Sequence, residues 1–167
     1  RRMNLVPTLL SGALGVLGGV IGAAWYVSTR VSPDRPRTYQ DGYTFTPWEL
    51  GVPHEALTLQ SADGVRLTGW WLPRSATAPT IICCHGHSGS KADNLGIGTN
   101  LWRAGYNLLL FDFRGRGESD YWPHTLISRE VDDLLAAVAY ARQRAPATPI
   151  GVVGYSMGAA VALLAAA

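Results

Sequence analysis

Three short apolar runs in the second half of the sequence constrain the fold most strongly. Residues 80–84, 106–113 and 150–153 are rich in apolar side chains, and a glycine-containing turn follows each run. Short apolar runs of this kind are typical of strands that are buried on both faces of a sheet. Helical patterns separate the runs, so the sequence predicts strands that alternate with helices.

Two further strands are predicted upstream of these runs. Residues 56–60 and 65–72 have strand-like patterns, and Asp63 and Gly64 between them form a typical tight turn. The two strands would pair as an antiparallel hairpin. The fold class is therefore α/β, with a hairpin followed by a mostly parallel sheet that has helices on both faces. In such sheets, ligand sites lie at the carboxyl ends of the strands.

The helices between the strands are predicted from apolar spacing and from candidate capping residues. One helix is expected to end near Ala104, and an alanine-rich helix is expected from Met157 onward. Another covers residues 128–144, with Ser128 as a plausible N-cap and apolar residues at helical spacing. These positions complete the alternation of strands and helices.

The N-terminal region has a different character. Leu5 and Val27 bound a stretch of 23 residues without a charge, which is long enough for a transmembrane helix. A secretory signal peptide is the alternative, although the stretch is longer than the apolar region of a usual signal peptide and no clear A-x-A cleavage site follows it. We predict a single-pass anchor over residues 1–30, a linker with four prolines over 31–53, and the α/β domain over 54–167. Basic residues flank the stretch on both sides, so its orientation is not determined.

Charge and cysteine usage exclude several classes of function. The net charge is only +2 and the basic residues are scattered, so a nucleic-acid partner is not expected. Cys83 and Cys84 are adjacent, which would strain a disulfide between them and provides too few ligands for a zinc site. We expect no metal and no cofactor.

A candidate nucleophile follows the last apolar run. Residues 154–158 read GYSMG, which fits the pattern G-x-S-x-G, and Ser156 would lie in a sharp turn between a strand and a helix. The start of the helix places the backbone N–H of Met157 where it could stabilise an oxyanion. The alternative is a serine that only caps the helix.

Two glycine-containing loops follow the preceding apolar runs. Residues 85–90 read HGHSGS, and we expect the backbone N–H of His87 to be a second oxyanion donor, with His85 as a packed, hydrogen-bonded residue. Residues 112–119 read DFRGRGES, where phosphate binding near Arg114 and Arg116 is conceivable. This second loop does not contain the P-loop pattern.

Together these motifs resemble the α/β-hydrolase superfamily over residues 57–167. Within it, the single N-terminal span makes the chain most similar to the membrane-anchored, serine-peptidase-like hydrolase-domain proteins. The resemblance implies that Ser156 attacks an acyl carbonyl and that the N–H groups of His87 and Met157 form the oxyanion hole. It also implies that the loop 112–119 is chiefly structural.

The resemblance places the remaining catalytic residues after the elbow, in the order Ser, Asp or Glu, His. The sequence ends 11 residues beyond Ser156, so the triad acid and histidine are not expected in this chain, which is interpreted as an N-terminal part of the fold. His124 and Asp112 would have to be recruited out of order. We also expect residues 150–153 to form an uncovered sheet edge, and the chain alone to be inactive and poorly soluble.

Three functions remain open from the sequence. The first is hydrolysis of a small acyl-ester, thioester, lipid-like or peptide substrate through an acyl-enzyme at a membrane. The second is a non-catalytic, membrane-tethered binding module that keeps the hydrolase fold. A peptidase or acyltransferase with the same nucleophile is the third.

Overall fold

The computed structural model describes the backbone of residues 5–31, 45–122 and 125–167, and the side chains of 14–29, 45–122 and 125–167. The chain divides into two compact units, Arg1–Asp34 and Arg35–Ala167. Most of the predicted linker, residues 32–44, lies outside the described residues. The described end of that segment contains Val52, which is buried in the core of the second unit.

The described residues of the first unit form helix α1 (Leu5–Val31). Its side chains at positions 14–29 are exposed. Across the residues that the structure describes, no helix is both long enough and apolar enough to cross a membrane. The predicted transmembrane helix over residues 5–27 thus forms as a helix, but its role as an anchor is not supported by this structure.

The second unit begins with the predicted hairpin. Strands β1 (Glu55–Gln60) and β2 (Arg66–Leu72) pair antiparallel, with Leu59 opposite Leu67. Gly64 in the connecting turn has φ of +89°, a conformation that glycine adopts without a steric penalty. The predicted hairpin is confirmed, and its turn residues determine the register.

The three apolar runs form three adjacent strands of a five-stranded sheet in the order β1-β2-β4-β3-β5. These strands are β3 (Thr80–Cys84), β4 (Asn107–Phe111) and β5 (Ile150–Gly154). Strand β3 pairs parallel with both β4 and β5, while β2 pairs antiparallel with β4. Among the described strands, β5 lies at the edge, as the sequence predicted.

Helices connect the parallel strands and cover both faces of the sheet. A short 3₁₀ turn (Lys91–Asn94) and α2 (Leu95–Arg103) lie between β3 and β4. Helix α3 (Glu130–Arg144) lies between β4 and β5, and α4 (Met157–Ala165) follows β5. The chain moves from β3 to β4 in one direction and then crosses back to β5. The carboxyl end of β3 therefore lies at a point where the strand order reverses, which is where open α/β sheets bind ligands.

Alternating side chains of the strands form two apolar cores. On β4, Leu109 and Phe111 pack on the face that contacts α3 and α4. Leu108 and Leu110 of the same strand pack on the opposite face, with Leu95 of α2. These four side chains are fully buried, which explains why residues 108–111 are apolar without alternation.

The prediction that Ser128 caps α3 is wrong. The helix begins at Glu130, and Arg129 occupies the N-cap position without a side-chain hydrogen bond. The buried carboxylate of Glu130 instead accepts hydrogen bonds from the N–H groups of Thr125 (3.2 Å) and Ile127 (2.8 Å). The start of α3 is therefore not set by a capping side chain at Ser128. It is set by the buried Glu130 carboxylate, which needs the N–H groups of the preceding turn as hydrogen-bond donors.

Candidate active site

Ser156 lies in the turn between β5 and α4. Its backbone has φ of +51° and ψ of −117°, a conformation that residues other than glycine rarely adopt. A residue in such a backbone conformation lowers the free energy of unfolding by on the order of 1–3 kcal/mol, and backbone strain of this kind is concentrated at functional sites. The side chain is exposed, so the turn presents the hydroxyl to solvent.

Glycines on both sides of Ser156 make this turn possible. A Cβ on Gly154 would lie 2.4 Å from the carbonyl oxygen of Gly158. A Cβ on Gly158 would lie 2.4 Å from the carbonyl oxygen of Cys84. Both overlaps are with backbone atoms that have little freedom to move. Glycine at these two positions therefore allows the helix start to pack tightly against the ends of β3 and β5.

The first N–H groups of α4 follow Ser156 in the chain, and most of them donate to backbone carbonyls of the turn. Gly158 donates to the Tyr155 carbonyl (2.9 Å), and Ala159 and Ala160 donate to the Ser156 carbonyl (3.0 and 3.3 Å). In the described part of the chain, the N–H of Met157 has no such acceptor. A donor at the helix start, adjacent to the serine, is suited to bind a developing oxyanion.

The loop after β3 lies directly against the elbow. A Cβ on Gly86 would be 3.5 Å from Cβ of Ser156 and 3.6 Å from the Tyr155 carbonyl oxygen. The Tyr155 N–H donates to the Cys84 carbonyl (3.0 Å), which continues the pairing of β3 and β5 into the turn. The fold thus brings the loop 85–90 and Ser156 together, as predicted.

His85 is fully buried and hydrogen-bonded at both ring nitrogens. The N–H of Phe113 donates to Nε2 (3.0 Å), and Nδ1 lies 2.7 Å from the Gly86 carbonyl oxygen. A backbone N–H can only donate, so Nε2 accepts and the proton of the neutral ring is on Nδ1. Burial lowers the pKa of His85, which also favours the neutral ring. The expectation of a packed, hydrogen-bonded histidine agrees with this geometry.

His87, the predicted second oxyanion donor, follows Gly86 in the loop. Its ring contacts the loop after β4, where Nη2 of Arg116 lies 3.3 Å from Nε2 of His87. The guanidinium has only donors, so the imidazole nitrogen accepts in this contact. The side chain is thereby held against the neighbouring loop.

The loop after β4 is organised by the buried carboxylate of Asp112. It accepts hydrogen bonds from the backbone N–H and from Nζ of Lys91 (both 2.6 Å), and from the N–H of Glu118 (3.1 Å). Lys91 Nζ also contacts Glu118 (2.7 Å) and lies over the ring of Trp70. Asp112 therefore serves as a structural anchor in this geometry and does not contact Ser156 through any of these bonds.

Arg114 does not fit the phosphate-binding interpretation. Its guanidinium is fully buried and pairs with Asp133 (2.6 Å) and Asp63 (2.7 Å), with a further bond to Ser61 (3.0 Å). The hydrogen bond from Arg114 lowers the pKa of Asp63. No local sequence pattern indicates this cluster or the contacts of Lys91, because the partners are far apart in the chain.

Other candidate groups are inert or lie outside the described residues. Cys83 and Cys84 are buried free thiols, and burial raises the pKa of Cys83 to about 12. Among the described residues, the Ser156 hydroxyl makes no hydrogen bond with another side chain. His124, considered as an out-of-order base, lies outside the described residues. The triad acid and histidine stay untested predictions.

Comparison with known proteins places this geometry in a family. A family model described as alpha/beta hydrolase fold matches residues 79–167, more than half of the chain. YfhR, an uncharacterised protein of Salmonella typhimurium, is 33% identical over 129 residues, which cover 72% of this chain and 42% of YfhR. The chain therefore spans less than half the length of that relative.

Solved structures show the same similarity. An esterase of Pyrococcus furiosus matches with a TM-score of 0.65 and 34% identity, covering 72% of this chain and 49% of the esterase. A Xanthomonas campestris protein described as an α/β serine hydrolase without a lid matches with a TM-score of 0.60 and 28% identity, covering 75% of this chain and 58% of that protein. The family match includes β3, β4, β5 and the elbow at Ser156. The chain belongs to the α/β-hydrolase fold family.

Proposed function

We propose that the protein is a serine hydrolase that cleaves an acyl ester, thioester or amide through an acyl-enzyme on Ser156. The observation that carries the proposal is the strained backbone of the exposed Ser156 beside the N–H of Met157, which has no described acceptor. A strained nucleophile next to an available donor is the geometry that acyl transfer requires. The esterase and the serine hydrolase among the similar structures support this class.

The chemistry follows from these groups. Oγ of Ser156 attacks the acyl carbonyl carbon, its proton passes to a general base, and the carbonyl oxygen becomes an oxyanion. The N–H groups of Met157 and His87 are the proposed donors to that oxyanion. The leaving alcohol, thiol or amine takes the proton and departs, and water then hydrolyses the acyl-enzyme in the same way. The resemblance assigns the base to a histidine after the elbow.

The test uses the full-length protein that carries this chain. Ser156→Ala is expected to abolish labelling by a fluorophosphonate probe and to lower p-nitrophenyl ester turnover at least about a thousandfold, because a methyl group cannot replace the nucleophile. Ser88→Ala, in the loop after β3, is the matched control and is expected to retain labelling. Labelling that persists in Ser156→Ala would identify another nucleophile. Absence of labelling in the wild type would favour a non-catalytic binding module.

The acceptor and substrate are part of the same proposal. Small acyl esters, lipid-like esters and peptides are the candidate classes. Measuring hydrolysis and transfer to an added alcohol in one reaction separates a hydrolase from an acyltransferase. A product ratio dominated by the transfer product would overturn hydrolysis as the main reaction.

We also propose, from the sequence, that residues 5–27 attach the protein to a membrane as a single-pass anchor. The stretch carries no charge over 23 residues, which is long enough for a helix to cross the hydrocarbon core of a bilayer. The full-length protein is expected to stay in the membrane fraction after alkaline carbonate extraction, and a variant lacking residues 1–30 is expected to be released. Recovery of the uncleaved full-length protein in the supernatant would contradict the anchor.

A further inference from the structure

The peptide unit between Gly86 and His87 is held in one orientation by two hydrogen bonds. Its carbonyl oxygen, on Gly86, lies 2.7 Å from Nδ1 of His85. The same oxygen accepts a hydrogen bond from the N–H of Gly89 (3.0 Å). Because Nδ1 carries the proton of the neutral ring, both neighbours donate to this carbonyl. The carbonyl therefore points toward the His85 ring and the turn at Gly89.

The orientation of the carbonyl determines the orientation of the N–H in the same peptide. The described chain has no cis peptide bond, and in a trans peptide the C=O and N–H point in opposite directions. The N–H of His87 therefore points away from the His85 ring. Gly86 lies against Ser156, with its Cβ position 3.5 Å from Cβ of the serine. The N–H of His87, the proposed oxyanion donor, is thus oriented by the two hydrogen bonds to the Gly86 carbonyl of the same peptide.

The His85 ring is itself fixed from the other side. Its Nε2 accepts from the N–H of Phe113, and the two rings meet edge to face at 5.1 Å between centroids. The ring is fully buried, so rotating it would leave the Phe113 N–H without an acceptor in the interior. His85 thus connects the end of β4 to the peptide that faces the nucleophile.

We propose that His85 is a positioning residue for the oxyanion hole, acting through the Gly86–His87 peptide. It orients the N–H of His87 and does not touch the substrate. This inference rests on the proposed function of Ser156. It assigns different tasks to the two ring nitrogens: Nδ1–H orients the donor peptide, and Nε2 holds the ring in place.

Two amide substitutions separate these tasks. Asparagine places an N–H at the position of Nδ1, so His85→Asn retains a donor to the Gly86 carbonyl. Glutamine places its amide at the position of Nε2, so His85→Gln retains an acceptor for Phe113 and loses that donor. His85→Phe retains most of the ring volume and loses both hydrogen bonds.

The expected results differ in kcat and not in KM. Removal of one oxyanion donor lowers kcat by roughly a hundredfold or more, and a misdirected donor is expected to lower it by about 10- to 100-fold. With p-nitrophenyl acetate and the full-length protein, we expect that loss for His85→Gln and His85→Phe, with KM changed less than about twofold. His85→Asn is expected to remain within about fivefold of the wild type in kcat.

Stability controls separate positioning from packing. Leu134→Ala removes buried volume on α3, far along the chain from the loop, and is expected to lower the melting temperature while kcat of the folded fraction is retained. If the losses in kcat among the His85 variants follow their melting temperatures, or if His85→Asn is as impaired as His85→Gln, the positioning role is wrong.

A measurement on the unmodified protein tests the geometry without requiring any variant to fold. Long-range ¹H–¹⁵N NMR of the His85 ring is expected to show the proton on Nδ1 at neutral pH. A proton on Nε2 would overturn the inference, because the ring could not then accept from Phe113. Absence of Ser156-dependent turnover in the wild type would refute the proposed function, while this NMR result would still report separately on the orientation of the peptide.

Discussion

The loops after β3 and β4 are both glycine-containing, both follow a buried parallel strand and both lie at the same edge of the sheet, but they differ in what they do. In the loop 85–90, Gly86 lies against Ser156 and its peptide is held by neutral hydrogen bonds. In the loop 112–119, Asp112 and Arg114 are buried in ion pairs. The loop after β3 brings its backbone against Ser156, whereas the charges of the loop after β4 hold the fold together.

The difference shows why glycine content alone does not identify a functional loop. Gly117 has φ of +51°, and a Cβ there would lie 2.2 Å from the Asp112 carboxylate. That glycine makes room for a buried charge. Gly86, by contrast, brings the backbone close to the serine side chain. Glycine thus allows the backbone to approach Ser156 in one loop and to pack against the Asp112 carboxylate in the other.

The largest expected effect on stability comes from removing the anchor of the second loop. Asp112→Ala leaves Lys91 buried without its main partner, and breaking a buried pair in this way costs about 3–5 kcal/mol in the free energy of unfolding. Urea denaturation measures the change. Asp120→Ala is the matched control, since the Arg66–Asp120 pair is about half exposed and is worth about 0–1 kcal/mol. Similar losses in the two variants would show that the Lys91–Asp112 pair is not a special anchor.

A smaller effect is expected at the glycine beside that anchor. Gly117→Ala places a methyl group against the Asp112 carboxylate at a positive φ, so we expect a loss of about 1–3 kcal/mol. Gly96→Ala, in α2, has open space around its Cβ position and is expected to be neutral or stabilising by up to about 1 kcal/mol. Thermal unfolding compares the two. Equal effects would mean that the packing against Asp112 relaxes easily.

The two loops are expected to lose stability in different pH ranges. Burial lowers the pKa of His85 below its ordinary 6.5, so its contribution is complete above 6.5 and is lost as pH falls below that value toward the folded-state pKa. The pKa of Asp63, in the Arg114 cluster, is lowered from 3.8, so its contribution is lost only as pH falls below 3.8. Unfolding between pH 7.5 and 3 measures both ranges.

Single substitutions assign these ranges to residues. His85→Asn is expected to reduce the slope of stability against pH below 6.5, and Asp63→Asn to reduce it only below 3.8. If His85→Asn and the wild type have the same slope below pH 6.5, the folded protein tolerates a charged His85. That result would contradict the hydrogen bond from the Phe113 N–H, which needs an unprotonated Nε2.

The smallest effect is expected at the exposed partner of Lys91. Glu118→Gln removes a carboxylate that is 55% exposed, while Lys91 keeps its bond to Asp112. Exposed ion pairs are worth about 0–1 kcal/mol and are screened by salt, so we expect a loss below about 1 kcal/mol that disappears in high salt. A salt-independent loss of stability as large as that of Asp112→Ala would show that Glu118, and not Asp112, is the main partner of Lys91.

Local patterns were sufficient to place the strands and helices to within a few residues and to place Ser156 in the turn after β5. The strand Thr80–Cys84 was predicted with its observed ends, and Ile150–Gly154 differs from the prediction by one residue. Ser156 was placed between a strand and a helix because G-x-S-x-G is a local pattern with a local steric cause. The prediction of strand 106–113 was too long, because the apolar run continues into Asp112 and Phe113 after the pairing ends at Phe111.

By itself, the sequence determined where strands and helices form and which serine occupies the elbow, since apolar periodicity and the steric demands of a sharp turn act over a few neighbouring residues. Only the tertiary structure decided that Asp112 pairs with Lys91, that Arg114 pairs with Asp63 and Asp133, and that the ring of His85 accepts from Phe113. These partners are 19 to 51 residues apart in the chain. Their pairing depends on burial and on the sheet order, which no local pattern encodes.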